Sequence, residues 1–224
     1  EATKQYGALT GFALPLLMLP SFVTQSLATA LVPAISEANA QNNQGLIEYR
    51  LQQALRLSLL TGGLAVVILF VLAEPLMLVM YGSASGSGFI QLMAPFFILY
   101  YFQAPLQAAL QALNLARAAM INSLIGAVAK TAVIFLLASQ PAFGINGVAM
   151  GLLVGFILVT LLHFATILKK ISFTFYIRDY VKTIVVMVFS GWTGSWLFLH
   201  FPLQSSLAMK VMVVTSAISL LYII

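Results

Sequence analysis

From Gly7 to Ile35 the chain carries no charged side chain, and no water-facing helix is built that way. A helix resting on a soluble core keeps a polar stripe every three or four residues. This run has no such stripe, so it must be surrounded by something other than water. Apolar runs of similar length recur at Leu55–Tyr81, Phe89–Leu113, Ala118–Ser139, Ile145–Leu168, Thr183–Leu199 and Ser206–Ile224. Crossing the hydrocarbon takes about 20 mostly apolar residues, so each run is long enough or nearly so to span a bilayer. The composition agrees, with 62% of residues hydrophobic and 7% charged, against about 25% charged in an ordinary globular domain. The chain is therefore expected to be an all-α polytopic membrane protein of seven transmembrane helices. A β-barrel is disfavoured because the runs are continuous rather than alternating with period two.

The connections sort by charge. The first holds Arg50 with Arg56 close by, the third Arg117, and the fifth Lys169, Lys170, Arg178 and Lys182, whereas the second, fourth and sixth hold no Lys or Arg. Basic residues in short loops are retained on the cytoplasmic face. The alternation places the N-terminal end outside and the C-terminal end inside. The net charge of +5 comes from cations scattered between apolar runs, which form no stripe for nucleic acid. The chain starts at Glu1 and stops within an apolar run at Ile224, which reads as a piece of a longer protein. With no cysteine it can form no disulfide, thiolate nucleophile or Cys-ligated metal site.

Pro15, Pro20 and Pro33 lie inside the first run, with Thr24, Gln25, Ser26 and Thr29 among them. Proline in a span frees a carbonyl and bends the helix, which is tolerated only where neighbouring helices or a wet cavity satisfy the freed groups. Two readings stand: a kinked packing helix whose hydroxyls bond its own backbone, and a bent helix lining a water-filled cavity.

The phrases LATALVPAISEA, FVLAEPLMLVMYG and INSLIGAVAKTAVIFLLASQPAFGINGVAMG resemble the stage V sporulation protein B branch of the polysaccharide exporter family, and the resemblance extends over nearly the whole chain. That branch belongs with the lipid II flippases and the multidrug and toxic compound extruders. The resemblance implies a MATE-like, fourteen-helix fold of two six-helix lobes plus two additional helices, with the seven spans here corresponding to helices eight to fourteen. Residues 1–170 would then be the five lobe spans, 171–182 a cytoplasmic interfacial linker and 183–224 the two additional helices. The N-terminal lobe of the same chain becomes an expected partner. In lipid II flippases the additional helices border a groove thought to hold a polyprenyl tail, which here would fall to Lys182–Leu199 and Ser206–Ile224.

Lys130 is the sharpest single signal. It falls near the middle of the fourth run, where a lone cation costs roughly 2.5–3.5 kcal/mol to insert, so it should face a cavity or a partner. No carboxylate lies at an obviously similar depth, which leaves water, carbonyls, the other lobe or a substrate phosphate. Gln103, Gln107 and Gln111 recur every four residues and line one face of the third span, as polar glue or as a cavity wall. Arg117 reads as a topology anchor or a substrate contact, and Glu37 as a solvated cap or a gating group. Gln25 and Thr24 complete the set of substrate-binding or gating candidates. His163 lies inside the fifth span and reads as a protonation switch or, the more common case, as a neutral imidazole bonded to a carbonyl. Gly147, Gly151 and Gly155 form a small-xxx-small face for close helix packing. The segment KKISFTFYIRDYVK mixes cations with aromatics and suits an interfacial helix against anionic membrane lipids.

No nucleotide-binding loop, metal-ligand pair or nucleophile elbow is present, so neither an enzyme nor a cofactor is expected. The expected role is export of an isoprenoid-linked saccharide, such as a peptidoglycan precursor, across the bacterial cytoplasmic membrane by alternating access. A cation-coupled drug extruder would call for intramembrane carboxylates. A seven-helix retinal receptor would carry its lysine on the last span rather than the fourth. Because the chain lacks cysteine, single thiols report its topology once any others in the protein are removed: Ser85→Cys should react with a membrane-impermeant maleimide in intact cells, and Asn42→Cys only after permeabilisation. The opposite labelling pattern would invert the orientation.

Overall fold

The structure is a computed structural model that describes residues 2–171, 173, 177–200 and 206–223. The chain forms α1 (Ala2–Met18), α2 (Ser21–Ala40), α3 (Gln44–Val71), α4 (Ala73–Tyr81), α5 (Ser87–Ala112), α6 (Ala116–Ala138), α7 (Gly144–Lys170), α8 (Ile177–His200) and α9 (Leu207–Ile223). Five of these helices are long and apolar enough to cross a bilayer singly, and α1 with α2 makes a sixth span bent by 50°. At 17 residues α9 is about 26 Å long, slightly under the hydrocarbon thickness. The expected all-α, multi-pass architecture is present, with seven as an approximate count of spans.

Two differences from the expected boundaries have physical causes. The second span is two helices, because the chain turns at Leu72, which ends α3 and opens α4. Also, α3 starts at Gln44 and α8 at Ile177, well before their apolar runs. A hydropathy reading takes charged first turns for loop, whereas the helix simply continues beyond the membrane edge. Residues 177–182, expected in the interfacial linker, are thus the first turns of α8. The linker's Phe175 and Tyr176 lie outside the described residues.

The connections α2–α3 and α5–α6 are built alike. Each has an asparagine in the left-handed region, Asn42 at φ 54° and Asn114 at φ 60°. Each is closed by a backbone bond from five residues on, Asn43 N–H to Ala38 O at 2.9 Å and Leu115 N–H to Leu110 O at 2.8 Å. This closure satisfies the last carbonyls of the preceding helix and folds the chain sharply back. Asn43 then caps α3, its Oδ1 accepting from Leu46 N–H at 3.1 Å.

The middle of the bundle is α5, which packs against α1, α2, α3, α4, α6 and α7. Around it, two apolar clusters stack along the bundle axis. One joins the ends of α2 and α5 to the start of α3, around Ile35, Leu51, Leu106 and Leu110. The other joins α1, the start of α5 and the far half of α3 with α4, around Leu17, Met77, Phe97 and Tyr101. Outside them, α8 and α9 pack on α3 through a smaller cluster of Val67, Leu72, Val214 and Ile218. The tightest pair is α6 with α7. A Cβ at Gly151 would lie 2.9 Å from the Ile134 backbone nitrogen, and one at Gly147 would lie 2.7 Å from that of Ala138. The glycine repeat therefore serves the close backbone approach that its spacing suggests.

The bend of the first span is held from α5. Helix α1 widens into a π-turn over Ala8–Ala13, with Leu14 N–H donating to Leu9 O, immediately before Pro15. At the break before Ser21, the backbone bonds of Leu19, Phe22 and Val23 go to Pro15, Leu16, Leu19 and Pro20. The freed carbonyl of Leu17 accepts instead from the fully buried Tyr101 hydroxyl at 2.7 Å, and that of Met18 accepts from Ser21 Oγ at 2.6 Å. Tyr101→Phe should therefore lower stability by about 1–3 kcal/mol, the cost of a stranded buried acceptor. The readout is thermal unfolding of the full-length protein in detergent; an unchanged midpoint would mean that the bond contributes nothing.

Candidate substrate groove

Along α2 and α5, which end at the same pole of the bundle, runs a groove of about 160 Å³. Its polar lining is Gln25, Thr29, Gln107 and Gln111, set between Ala28 and Ala104. Thr29 donates to the Ser26 carbonyl at 2.8 Å. Among the described residues the three glutamine amides make no hydrogen bond, so all their donors and acceptors are open to the groove. Such amides on helices otherwise suited to hydrocarbon need a wet or polar occupant.

The glutamine row divides its partners. Gln103 Nε2 turns to α7 and donates to Phe156 O at 2.8 Å, while Gln107 and Gln111 line the groove. A step of four residues rotates the side chain by about 40°, so Gln103 and Gln111 point about 80° apart. The Gln103 contact sits beside a second bond between the same helices, from Thr160 Oγ1 to Leu99 O at 2.9 Å. The row therefore supplies both glue and cavity wall.

The other candidates lie elsewhere. Thr24 is buried, its hydroxyl donating to Ser21 O at 3.0 Å, and it does not line the groove. Glu37 is exposed in the last turn of α2, where its Oε1 accepts from Gln41 Nε2 at 3.5 Å. Arg117 is exposed in the first turn of α6. Lys130 is on the α6–α7 seam, its methylene stem lying flat across Gly155, where an added Cβ would come within 2.8 Å of the Lys130 Cβ. It is half-buried, and among the described residues its ammonium makes no hydrogen bond or ion pair. The structure brings Gln25, Gln107 and Gln111 together, and it does not bring Lys130 into that groove.

Three features escaped the sequence reading. Asn122 of α6, buried, donates through Nδ2 to Thr166 Oγ1 at 2.9 Å and lies 3.3 Å from Nδ1 of the buried His163. The imidazole partner is thus a side-chain amide on the neighbouring helix rather than a carbonyl. Arg56 pairs with Asp179 at 2.6 Å and ties the start of α8 to α3. Residues 41 and 123 positions apart carry no local signal of such contacts. The third is an apolar cavity of about 370 Å³ between α3 and α8, lined by Val66, Phe70, Pro95, Met187, Gly191 and Trp192. It is the site nearest to the expected tail groove, but α9 does not line it. Instead α9 packs alongside, with Tyr222 hydroxyl 3.4 Å from Leu59 O.

A bundle of mostly spanning helices with a polar groove in its wall defines a multi-pass, all-α membrane protein. The chain belongs to the MatE family, whose sequence pattern matches residues 7–136. It is 59% identical over 194 residues to Stage V sporulation protein B of Bacillus subtilis (strain 168), covering 87% of this chain and 38% of that protein. To Sporulation protein YkvU of the same organism it is 30% identical over 182 residues, covering 81% of this chain and 41% of that one. The chain thus spans about two fifths of the length of these curated relatives. Among solved structures, Lipid II flippase MurJ in its inward closed conformation superposes with a TM-score of 0.70 at 15% identity, over 94% of this chain and 46% of that one, which shows the shared fold.

Proposed function

We propose that this chain is the C-terminal part of a flippase that moves an isoprenoid-linked saccharide, such as a peptidoglycan or polysaccharide precursor, across the cytoplasmic membrane. The observation that carries the proposal is the groove between α2 and α5, where Gln25, Gln107 and Gln111 present amides with no hydrogen-bond partner among the described residues. Sugar hydroxyls and acetamido groups both donate and accept, and uncharged amides match them without demanding a charge. The 370 Å³ apolar cavity on α3 and α8 offers an isoprenoid tail a place beside the bundle. Lys130 supplies a cation without a protein partner among the described residues, suited to a diphosphate linker.

In this reading the chain works against a preceding lobe, the two rocking about a site near the midplane. The alternation of loop charges supports an orientation with the N-terminal end of α1 outside and the end of α9 in the cytoplasm. The membrane potential or an ion gradient supplies the energy, and the protein is a transporter rather than an enzyme. The lipid II flippase sharing this fold supports a lipid-linked substrate. Among relatives, the name Stage V sporulation protein B supports a role in sporulation.

The test is the outer-face accessibility of the polyprenyl-linked precursor in cells whose only copy of the full-length protein is native, Lys130→Ala, or Gln107→Ala/Gln111→Ala, at matched expression. Each variant should lower export by about tenfold, the worth of roughly 1.4 kcal/mol of lost interaction. Export at the native rate in both variants would remove the groove and the lysine from the mechanism. Unchanged accessibility on depletion of the protein would contradict the flippase reading itself.

A further inference from the structure

A second groove, of about 200 Å³, separates α2 from α3 on a different face from the glutamines. Its walls are Leu27, Ala30, Leu31 and Ala34 of α2 with Ala54 and Leu57 of α3. The two helices run antiparallel through the short turn at Asn42, and the alanines leave a furrow between them. The furrow is polar at one end alone, where Arg50 and Gln53 complete the lining. From Arg50 to Leu57 it follows α3 for about 10 Å toward the bundle centre, a good part of one leaflet's hydrocarbon depth.

The charges at this mouth differ from those about one and two-thirds turns further along. Arg56 is neutralised by Asp179, whereas Arg50 forms no ion pair among the described residues. Its Nη1 donates to Gln53 Oε1 at 3.4 Å, and its guanidinium carbon stands 5.8 Å from the centre of the Tyr49 ring. The nearest acid along the helix, Glu48, accepts from Gln52 Nε2 at 3.1 Å. Tyr49 is exposed beside Arg50, as aromatic side chains are at headgroup depth. A guanidinium fork at the interface with an apolar furrow leading inward from it matches a phosphate with an acyl chain beneath.

We infer that the α2–α3 furrow is a binding site for an anionic glycerophospholipid, whose phosphate is held by Arg50 and whose acyl chain lies on Ala30, Ala34 and Leu57. The lipid seals the seam between the bent first span and α3. It occupies a site separate from the glutamine groove, so its loss and the failure of the flippase reading are read independently.

The experiment is native mass spectrometry of the full-length protein in detergent, titrated with phosphatidylglycerol or with phosphatidylcholine of the same chains. Phosphatidylglycerol should be retained in preference to phosphatidylcholine. Arg50→Ala should weaken its retention about tenfold, Arg50→Lys should keep most of it, and Ala34→Leu, which fills the furrow with the charge intact, should weaken it as well. Lys170→Ala, a cation outside the furrow, should leave it unchanged, and unfolding midpoints of all variants identify any that fail to fold. Equal retention of the two lipids, native retention in both Arg50→Ala and Ala34→Leu, or displacement of phosphatidylglycerol only by a polyprenyl-linked precursor would each overturn the proposal.

Discussion

A carbonyl freed inside hydrocarbon has no water to turn to, and leaving it unpaired costs several kcal/mol. That constraint governs this bundle most visibly at the break before Ser21, where the 50° bend of the first span is tolerated because Tyr101 reaches the Leu17 carbonyl from the central helix. The bend swings α2 along α5, and the polar groove lies between these two helices. Neither proline nor tyrosine would suffice alone. The prolines bend the helix, and the hydroxyl makes the bend affordable in lipid.

The centrality of α5 follows from the same logic. It is surrounded by helices on most sides, so its row of amides divides between a neighbour that absorbs one and a groove that leaves two open. The mid-helix cation of α6, Lys130, is accommodated differently. Gly155 lacks a side chain where the Lys130 stem crosses α7, so the methylenes pack while the ammonium has no partner among the described residues. The described residues thus hold three separate features: a neutral polar groove, a cation without a partner among them, and an apolar cavity at the α3–α8 seam. An amphiphile with a sugar, a phosphate and a long tail has use for all three.

Much of this was legible in the residues. Long apolar runs announced spanning helices, and the glycine triplet announced a close helix approach on the fifth span, though not which helix would be the partner, because both signals are local. The amide row was visible too, but its division between two partners was not, since a spacing of four conceals a rotation that only the neighbouring helices interpret. Helix starts at Gln44 and Ile177 were hidden because hydropathy marks the membrane edge rather than the end of the helix. The Asn122–His163 contact and the Arg56–Asp179 pair were beyond reach, because nothing in a single sequence relates residues that far apart.

The central claim is that the glutamine groove meets the saccharide part of a lipid-linked precursor, and direct contact is the most immediate test. A photo-crosslinking amino acid placed at position 107 of the full-length protein in growing cells should yield an adduct whose mass carries the precursor's sugars. The same probe at position 128, on the outward face of α6, where Val128 is 63% exposed, should yield only phospholipid adducts. Phospholipid alone at both positions, or sugar adducts at both alike, would contradict the claim.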